Sequence, residues 1–114
     1  MDYETAIHRY YDAFRERDLE GLRALLAPDF RFVSSFGEFH ERDAMLEQIW
    51  PSVGQTWARD LRLFGAGPEF VVLYEHQNAA GVERPPMRMA EYVRFDGERI
   101  AEIEVYVGRA AGTS

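Results

Sequence analysis

The sequence predicts an α+β domain in which N-terminal helices cover the concave face of a curved antiparallel sheet. Two observations support this fold class. Apolar residues recur with helical spacing in the first half of the chain, whereas the second half alternates in the period-two manner of strands joined by hairpins. The length of 114 residues accommodates one such domain, spanning residues 1–114, and leaves no room for a second.

Three segments have helical spacing. Residues 3–17 form an amphipathic helix, and Asp18 is a suitable N-cap for a short second helix that Pro28 ends. Residues 42–50 return to helical spacing, and Pro51 closes that helix. The stripe of the first helix consists of Tyr3, Ile7, Tyr10 and Phe14, widened by Ala6 and Tyr11.

Five segments show the alternation of a strand. They are predicted at residues 30–36, 56–64, 69–78, 86–95 and 99–107. Turn residues at 65–68 and 78–81 connect consecutive strands, and Asp96-Gly97 is the strongest hairpin signal in the chain. Residues 108–114 are small and polar, so we expect a frayed tail there.

Composition narrows the classes of function. Thirteen Lys and Arg against twenty Asp and Glu give a net charge of −7, which disfavours nucleic acid or an anionic membrane as a partner. The chain has no cysteine, and its histidines (His8, His40 and His76) have no metal-ligand spacing, so we expect neither a metal site nor a cofactor. The first residues lack the pattern of a leader peptide, and we expect a cytoplasmic protein.

Glu91 breaks the pattern of an otherwise apolar strand face. Its neighbours on that face are Met87, Met89, Val93 and Phe95. A carboxylate placed there loses its water and must find a partner or be protonated. The pattern indicates a functional acid, and the alternative is a structural Glu satisfied by a backbone amide or an arginine.

The concave face carries more apolar residues than a helix layer fills, which indicates a small-ligand pocket with a few polar groups. Tyr74 and His76 share the inward parity of their strand, although the position of His76 near the strand end, beside a turn, favours a surface residue. The candidate ligand-binding residues are Phe14, Phe32, Ser34, Trp50, Trp57, Tyr74, Met87, Met89, Val93 and Val105.

Several stretches resemble one family of proteins. They are 9–22, which reads RYYDAFRERDLEGL, 25–30 (LLAPDF), 91–100 (EYVRFDGERI) and 105–108 (VYVG). In these the chain resembles the nuclear transport factor 2-like superfamily, which includes ketosteroid isomerase and the SnoaL-like polyketide cyclases. Within this superfamily, the Trp50-Pro51 dipeptide after the third predicted helix resembles that of small bacterial members, many of which have no assigned reaction. The resemblance implies a cone-shaped sheet of the nuclear transport factor 2-like or cystatin-like type.

The same resemblance assigns roles to three residues. In ketosteroid isomerase an Asp base works with an oxyanion hole of a tyrosine and a protonated carboxylic acid. The tyrosine corresponds to Tyr10 and the acid to Glu91, but the base corresponds to Ser34, which cannot accept a proton at neutral pH. The resemblance therefore implies two surviving hydrogen-bond donors without the family's base, and disfavours steroid isomerisation.

Three hypotheses follow. The first is a cofactor-free isomerase, cyclase or hydrolase acting on a small apolar carbonyl-containing or cyclic compound through Tyr10, Glu91 and His76. In it, Tyr10 and a neutral Glu91 polarise a carbonyl, or an ionised Glu91 is the base and Tyr10 the acid. The second is a non-catalytic ligand-binding module, and the third a dimeric interaction module. The resemblance also implies a homodimer through the outer sheet face, which carries Phe64, Tyr92 and Tyr106.

Overall fold

The computed structural model describes residues 2–78 and 86–110, with the backbone alone at 109 and 110. It confirms the α+β class, with three helices and a curved six-stranded sheet that does not close. The helices are α1 (Tyr3–Glu16), α2 (Leu19–Leu25) and α3 (Arg42–Ile49), the last followed by a 3₁₀ turn at Trp50–Ser52. The strands are β1 (Leu26–Val33), β2 (Phe39–Glu41), β3 (Thr56–Ala66), β4 (Glu69–Asn78), β5 (Met87–Asp96) and β6 (Arg99–Ala110).

The sheet order is β2-β1-β6-β5-β4-β3, and its long strands follow one another as antiparallel neighbours. One pair differs from the expected antiparallel pattern, because β1 lies parallel to β6. The ladder between these strands is interrupted between Leu26 and Arg31, where Pro28 has no N–H to donate. Most of the chain separates β1 from β6, and this distance in sequence permits a parallel pair.

Side-chain caps define the first two helices. The Asp2 carboxylate accepts a hydrogen bond from the Thr5 backbone N–H at 2.7 Å, and Asp18 accepts one from that of Gly21 at 2.9 Å. The predicted N-cap at Asp18 is thus confirmed. Helix α1 ends one residue before its predicted end, because Arg17 adopts the left-handed conformation at φ 58°.

The first strand and the C-terminal strand depart most from prediction. Strand β1 begins at Leu26 rather than at residue 30 and ends at Val33, and β2 was not predicted. Strand β6 continues to Ala110, so the start of the frayed tail at 108 was wrong. The predicted turn at 78–81 lies, beyond Asn78, outside the described residues.

The core lies between the concave face of the sheet and the helices. Its largest fully buried side chains come from both layers: Ile7, Leu22, Leu26, Phe30, Met45, Leu46, Val72, Val93, Ile100 and Ile103. This core occupies one part of the concave face and leaves a cavity beside it. Within residues 2–78 and 86–110, no helix has the length and apolar character needed to cross a membrane.

Candidate functional site

A cavity of about 300 Å³ opens between the concave face, α1 and the end of α3. Strands β4 and β5 supply one wall, and the start of β3 lies beside it. Among the residues predicted from the sequence, those that line the cavity are Tyr10, Phe14, Phe32, Trp57, Tyr74, His76, Met89, Glu91 and Val105. The fold therefore brings together most of the predicted site, while the roles of these residues remain predictions.

Ser34 does not line the cavity, contrary to prediction. Strand β1 ends at Val33, and Ser34 lies in the turn that leads to β2. Its hydroxyl accepts hydrogen bonds from the backbone N–H groups of Phe36 at 3.3 Å and Glu38 at 3.1 Å. Serine commonly bonds its own loop in this way, and here that local bonding determined its position.

Three further predicted residues also lie outside the cavity. Trp50 is in the 3₁₀ turn and packs under the Arg17 guanidinium, 5.3 Å from the ring centroid. Val93 is buried in the closed core. Met87 shares the face of Met89 and Glu91, because the β4–β5 ladder is regular there, but it is the first residue of β5 and does not line the cavity.

The prediction omitted part of the cavity wall. Tyr11 had been treated only as a residue that widens the apolar stripe of α1. Residues of α3, of the segment before β3 and of the first positions of β3 were also missed, because only tertiary packing brings these parts of the chain together around the cavity. Those lining the cavity are Met45, Ile49, Ser52, Val53, Gly54, Thr56 and Ala58.

Glu91 is the central polar group of the cavity. It is only 6% exposed, which confirms the predicted burial. The Tyr11 hydroxyl donates to Oε1 of Glu91 at 2.9 Å, and the Tyr74 hydroxyl donates to Oε2. Among the described residues no cation forms a salt bridge with Glu91. Neither structural partner considered in the sequence, a backbone amide or an arginine, is therefore the one that holds the carboxyl.

Strand register explains this arrangement. Glu91 lies opposite Val72 on β4 and Val105 on β6, so its direct cross-strand neighbours are apolar. Tyr74 is two residues beyond Val72 on the same face and reaches Glu91 diagonally. Tyr11 approaches from α1, and its ring lies 5.3 Å from that of Tyr74.

Burial dominates the protonation behaviour of this cluster. Removal from water raises the pKa of Glu91 above its ordinary value, and the hydrogen bonds from Tyr74 and Tyr11 oppose that rise in part. Burial and the nearby Glu91 raise the pKa values of Tyr11 and Tyr74, so both hydroxyls keep their protons at neutral pH. Glu91 is therefore a carboxyl of raised basicity held by two neutral donors.

Tyr10 lines the cavity but does not bond Glu91. The ring of Tyr10 contacts Tyr11 and Phe14 edge-on at 5.1 and 4.9 Å between centroids. Burial, followed by the influence of Glu91, raises the pKa of Tyr10 well above its ordinary value. The tyrosines bonded to Glu91 are thus Tyr11 and Tyr74, whereas the sequence analysis paired Tyr10 with Glu91 as groups that act together on a ligand, which stays a prediction.

A second polar pair lies further along β4. His76 Nε2 and Thr56 Oγ1 are 2.7 Å apart, and both residues line the cavity. Beside them Trp57 lies under the Arg15 guanidinium, which is 5.6 Å from the ring centroid. Within the described ranges, no three His, Cys, Asp or Glu side chains cluster in a way that could hold a metal ion.

The comparisons with known proteins agree with this architecture. The model of the SnoaL-like domain matches residues 7–103. Among solved structures, a protein from Sphaerobacter thermophilus has a TM-score of 0.80 at 17% identity, over 96% of this chain and 98% of its own. A candidate ketosteroid isomerase from Kribbella flavida has a TM-score of 0.80 at 18% identity, over 96% of this chain and 80% of its own.

A candidate polyketide cyclase from Xanthomonas campestris is similar as well, with a TM-score of 0.75 at 15% identity over 92% of this chain and 89% of its own. At these identities the structures show a shared fold and not a shared reaction. No curated protein matches the sequence.

Proposed function

The chain belongs to the SnoaL-like domain family, and we propose that it binds a small, largely apolar carbonyl compound and transfers a proton on it. The observation that carries this proposal is the buried Glu91 carboxyl at the cavity wall, with Tyr11 and Tyr74 donating to its two oxygens. A carboxyl that receives two O–H donors is best satisfied as an ionised acceptor. This favours Glu91 as the base over Glu91 as a neutral donor.

The proposed step is proton abstraction next to the carbonyl group. The C–H bond breaks, its proton passes to Glu91, and the electron pair moves toward the carbonyl oxygen to form an enolate. Tyr10 lines the same cavity, and its hydroxyl donates a hydrogen bond to that oxygen as charge develops. In a β,γ-unsaturated ketone, return of the proton from Glu91 to the γ-carbon shifts the double bond and completes an isomerisation. Attack by the enolate on a second carbonyl forms a C–C bond and an alkoxide, and the alkoxide takes the proton from Glu91 to complete a cyclisation.

Cavity size and charge narrow the substrate class. A volume of about 300 Å³ holds roughly ten water-sized groups, which corresponds to a molecule of one or two rings. Of the described residues that line it, none is Lys or Arg, and the wall is mostly aromatic and aliphatic. A neutral cyclic ketone suits such a wall better than an anion does.

Deuterium exchange tests the proposal directly. In D₂O, 2-tetralone should exchange its protons next to the carbonyl faster with the protein than in buffer, as followed by proton NMR. Glu91→Gln should reduce the protein-dependent rate by about 10²-fold or more, because a neutral amide cannot accept the proton. Glu98→Gln makes the same chemical change at an exposed position and should retain the rate.

Two outcomes oppose this proposal. Equal exchange with the wild type and Glu91→Gln would remove Glu91 as the base. Binding of 2-naphthol, an analogue of the enol, without any exchange of 2-tetralone would favour the non-catalytic binding module.

We further propose that the chain forms a homodimer through the outer face of the sheet. Large apolar side chains on this face are exposed, with Phe64 at 49%, Val71 at 41% and Tyr106 at 53%. Sedimentation at micromolar concentration should give twice the chain mass, and Tyr106→Glu should shift the equilibrium toward the monomer. Gln48→Glu adds the same charge on α3 and should leave the mass unchanged, whereas a monomeric wild type would refute the dimer.

A further inference from the structure

The cavity has two polar ends, and the second one has no part in the proton transfer proposed above. This second end is the Thr56–His76 pair, in which Oγ1 and Nε2 lie 2.7 Å apart. His76 stands opposite Ala58 in the β3–β4 ladder, so Thr56 is its diagonal neighbour on the same face. Both residues are half-buried and line the cavity that contains Glu91.

Strand geometry sets the separation of the two ends. Val72 is opposite Glu91, and His76 is four residues further along β4. A rise of about 3.3 Å per residue places the Cα atoms of Val72 and His76 roughly 13 Å apart along β4. Tyr74, whose hydroxyl donates to Glu91, lies between these two residues on the strand. The two polar ends are thus separated by on the order of 10 Å.

The wall between the ends is mostly apolar. Met89, opposite Tyr74, lines the cavity between the ends, Val105 lines it opposite Glu91, and Trp57 and Ala58 line it beside the Thr56–His76 pair. A ligand long enough to reach from Glu91 to Thr56 would displace water from the threonine hydroxyl. An apolar ligand end would leave that hydroxyl less well satisfied, whereas a polar end would restore the lost hydrogen bond.

The threonine hydroxyl has the capacity for such a bond. A hydroxyl donates one hydrogen bond and accepts two, and the contact with His76 uses one of these three. With no Lys or Arg among the described lining residues, a neutral polar group fits this end better than an anion.

We propose that the Thr56–His76 pair determines specificity by binding a second neutral polar group, a hydroxyl or a carbonyl, at the far end of an elongated ligand. The position of the ligand's first polar group, at Glu91, rests on the proposed function. The preferred ligand is thus an apolar ring system with oxygen atoms at opposite ends.

Two naphthols provide the test. Isothermal calorimetry would compare 2-naphthol, with one hydroxyl, and 2,6-dihydroxynaphthalene, with hydroxyls at opposite ends of the same rings. The wild type should bind the diol about three- to tenfold more tightly, the range for one net hydrogen bond. Thr56→Val keeps the shape but removes the hydroxyl and should abolish the preference, so that the diol binds no more tightly than 2-naphthol does.

Two controls isolate the hydroxyl. Thr56→Ser restores it and should recover the preference, and Thr5→Val makes the same change on the exposed side of α1 and should leave both affinities as in the wild type. Equal preference in the wild type and Thr56→Val would overturn the inference. So would an equal loss of affinity for both naphthols in Thr56→Val, which would indicate a general structural defect.

The experiments distinguish a failure of the proposed function from a failure of the specificity role of Thr56 and His76. If Glu91→Gln leaves tetralone exchange unchanged while Thr56→Val still abolishes the diol preference, the specificity role stands and the base assignment falls. If the wild type binds neither naphthol at millimolar concentration, both proposals are wrong.

Discussion

Adjacent residues on β5 place the same type of hydrogen bond on opposite faces of the sheet. On the concave face, Glu91 accepts from Tyr11 and Tyr74. On the outer face, Tyr92 donates to Glu69 at 2.6 Å in solvent-exposed surroundings. Both sites join phenols to a carboxylate, but the inner carboxylate is buried and accepts from two tyrosines, whereas the outer one is exposed and accepts from one.

The two faces differ in the physical cause of the raised pKa, which is that of Tyr92 on the outer face and that of Glu91 on the concave face. On the outer face, the hydrogen bond to Glu69 is the main reason that the pKa of Tyr92 rises to about 12, and burial contributes less. On the concave face, burial is the main cause of the raised pKa of Glu91, and its hydrogen bonds act against that rise. A phenol–carboxylate pair becomes a source of raised basicity only where the cavity excludes water.

Removing both inner donors should have the largest effect. The double variant Tyr11→Phe and Tyr74→Phe keeps the ring packing but leaves the buried carboxyl of Glu91 without its two donors. We expect a loss of about 2 to 5 kcal/mol in the free energy of unfolding at pH 7, since each unsatisfied buried group costs about 1 to 3 kcal/mol. Urea denaturation measures this loss.

The matched control for this variant is on the other face. Tyr92→Phe removes the same hydroxyl from an exposed pair and should cost less than about 0.5 kcal/mol. The inner variant should also lose more at pH 7 than at pH 4, because without its donors the pKa of Glu91 rises further. Equal costs for the inner and outer variants would show that the cavity does not exclude water.

Replacing the inner carboxyl itself should have a smaller effect, of opposite sign. The folded pKa of Glu91 is raised above its unfolded value, so its contribution to stability is complete below the unfolded pKa, near 4.3. That contribution is lost as pH rises through the folded pKa. Glu91→Gln stays neutral, and its amide can accept from one tyrosine and donate to the other. At pH 7 it should therefore be at least as stable as the wild type.

Thermal melts from pH 4 to pH 8 test this sign. The wild type should lose stability relative to Glu91→Gln across this range, while Glu98→Gln should follow the wild type. A Gln variant that is less stable at pH 7 would mean that the folded protein depends on an ionised Glu91, and the raised pKa would be wrong.

The sequence was sufficient where local patterns decide the outcome. The burial of Glu91 follows from strand alternation, and the cap at Asp18 from the three residues after it. The partners of Glu91 could not be predicted, because Tyr11 reaches it only once α1 has taken a particular rotation over the sheet. Choosing between Tyr10 and Tyr11 on one buried stripe requires that rotation.

The errors have causes that strand alternation does not reveal. Ser34 was placed on a strand face by alternation, but its side chain bonds the following turn and the strand ends before it. Met87 has the correct parity but is the first residue of β5, and alternation shows which face a residue is on but not how far along the strand the cavity extends. The parallel pairing of β1 with β6 depends on contacts remote in sequence. Alternation thus located the site's carboxyl but not the full set of side chains around it.

The smallest expected effect concerns the outer pair, and it sharpens the comparison most. Glu69→Gln replaces the charged acceptor of the hydrogen bond that is the main cause of the raised pKa of Tyr92 with a weaker, neutral one, so that pKa should fall from about 12 toward its ordinary value near 10. A phenol with a raised folded pKa contributes stability that is complete below its unfolded pKa and lost only as pH rises through about 12. The contribution at neutral pH is therefore intact, but solvent screening keeps it small. Glu69→Gln should change the free energy of unfolding at pH 7 by less than about 0.5 kcal/mol.

Carbon NMR of ring-labelled tyrosine, titrated from pH 8 to pH 12.5, would follow the pKa of Tyr92, with the resonance assigned from Tyr92→Phe. A loss above about 1 kcal/mol in Glu69→Gln would contradict an exposed pair. It would mean that the outer face is covered in solution, as the proposed homodimer would cover it.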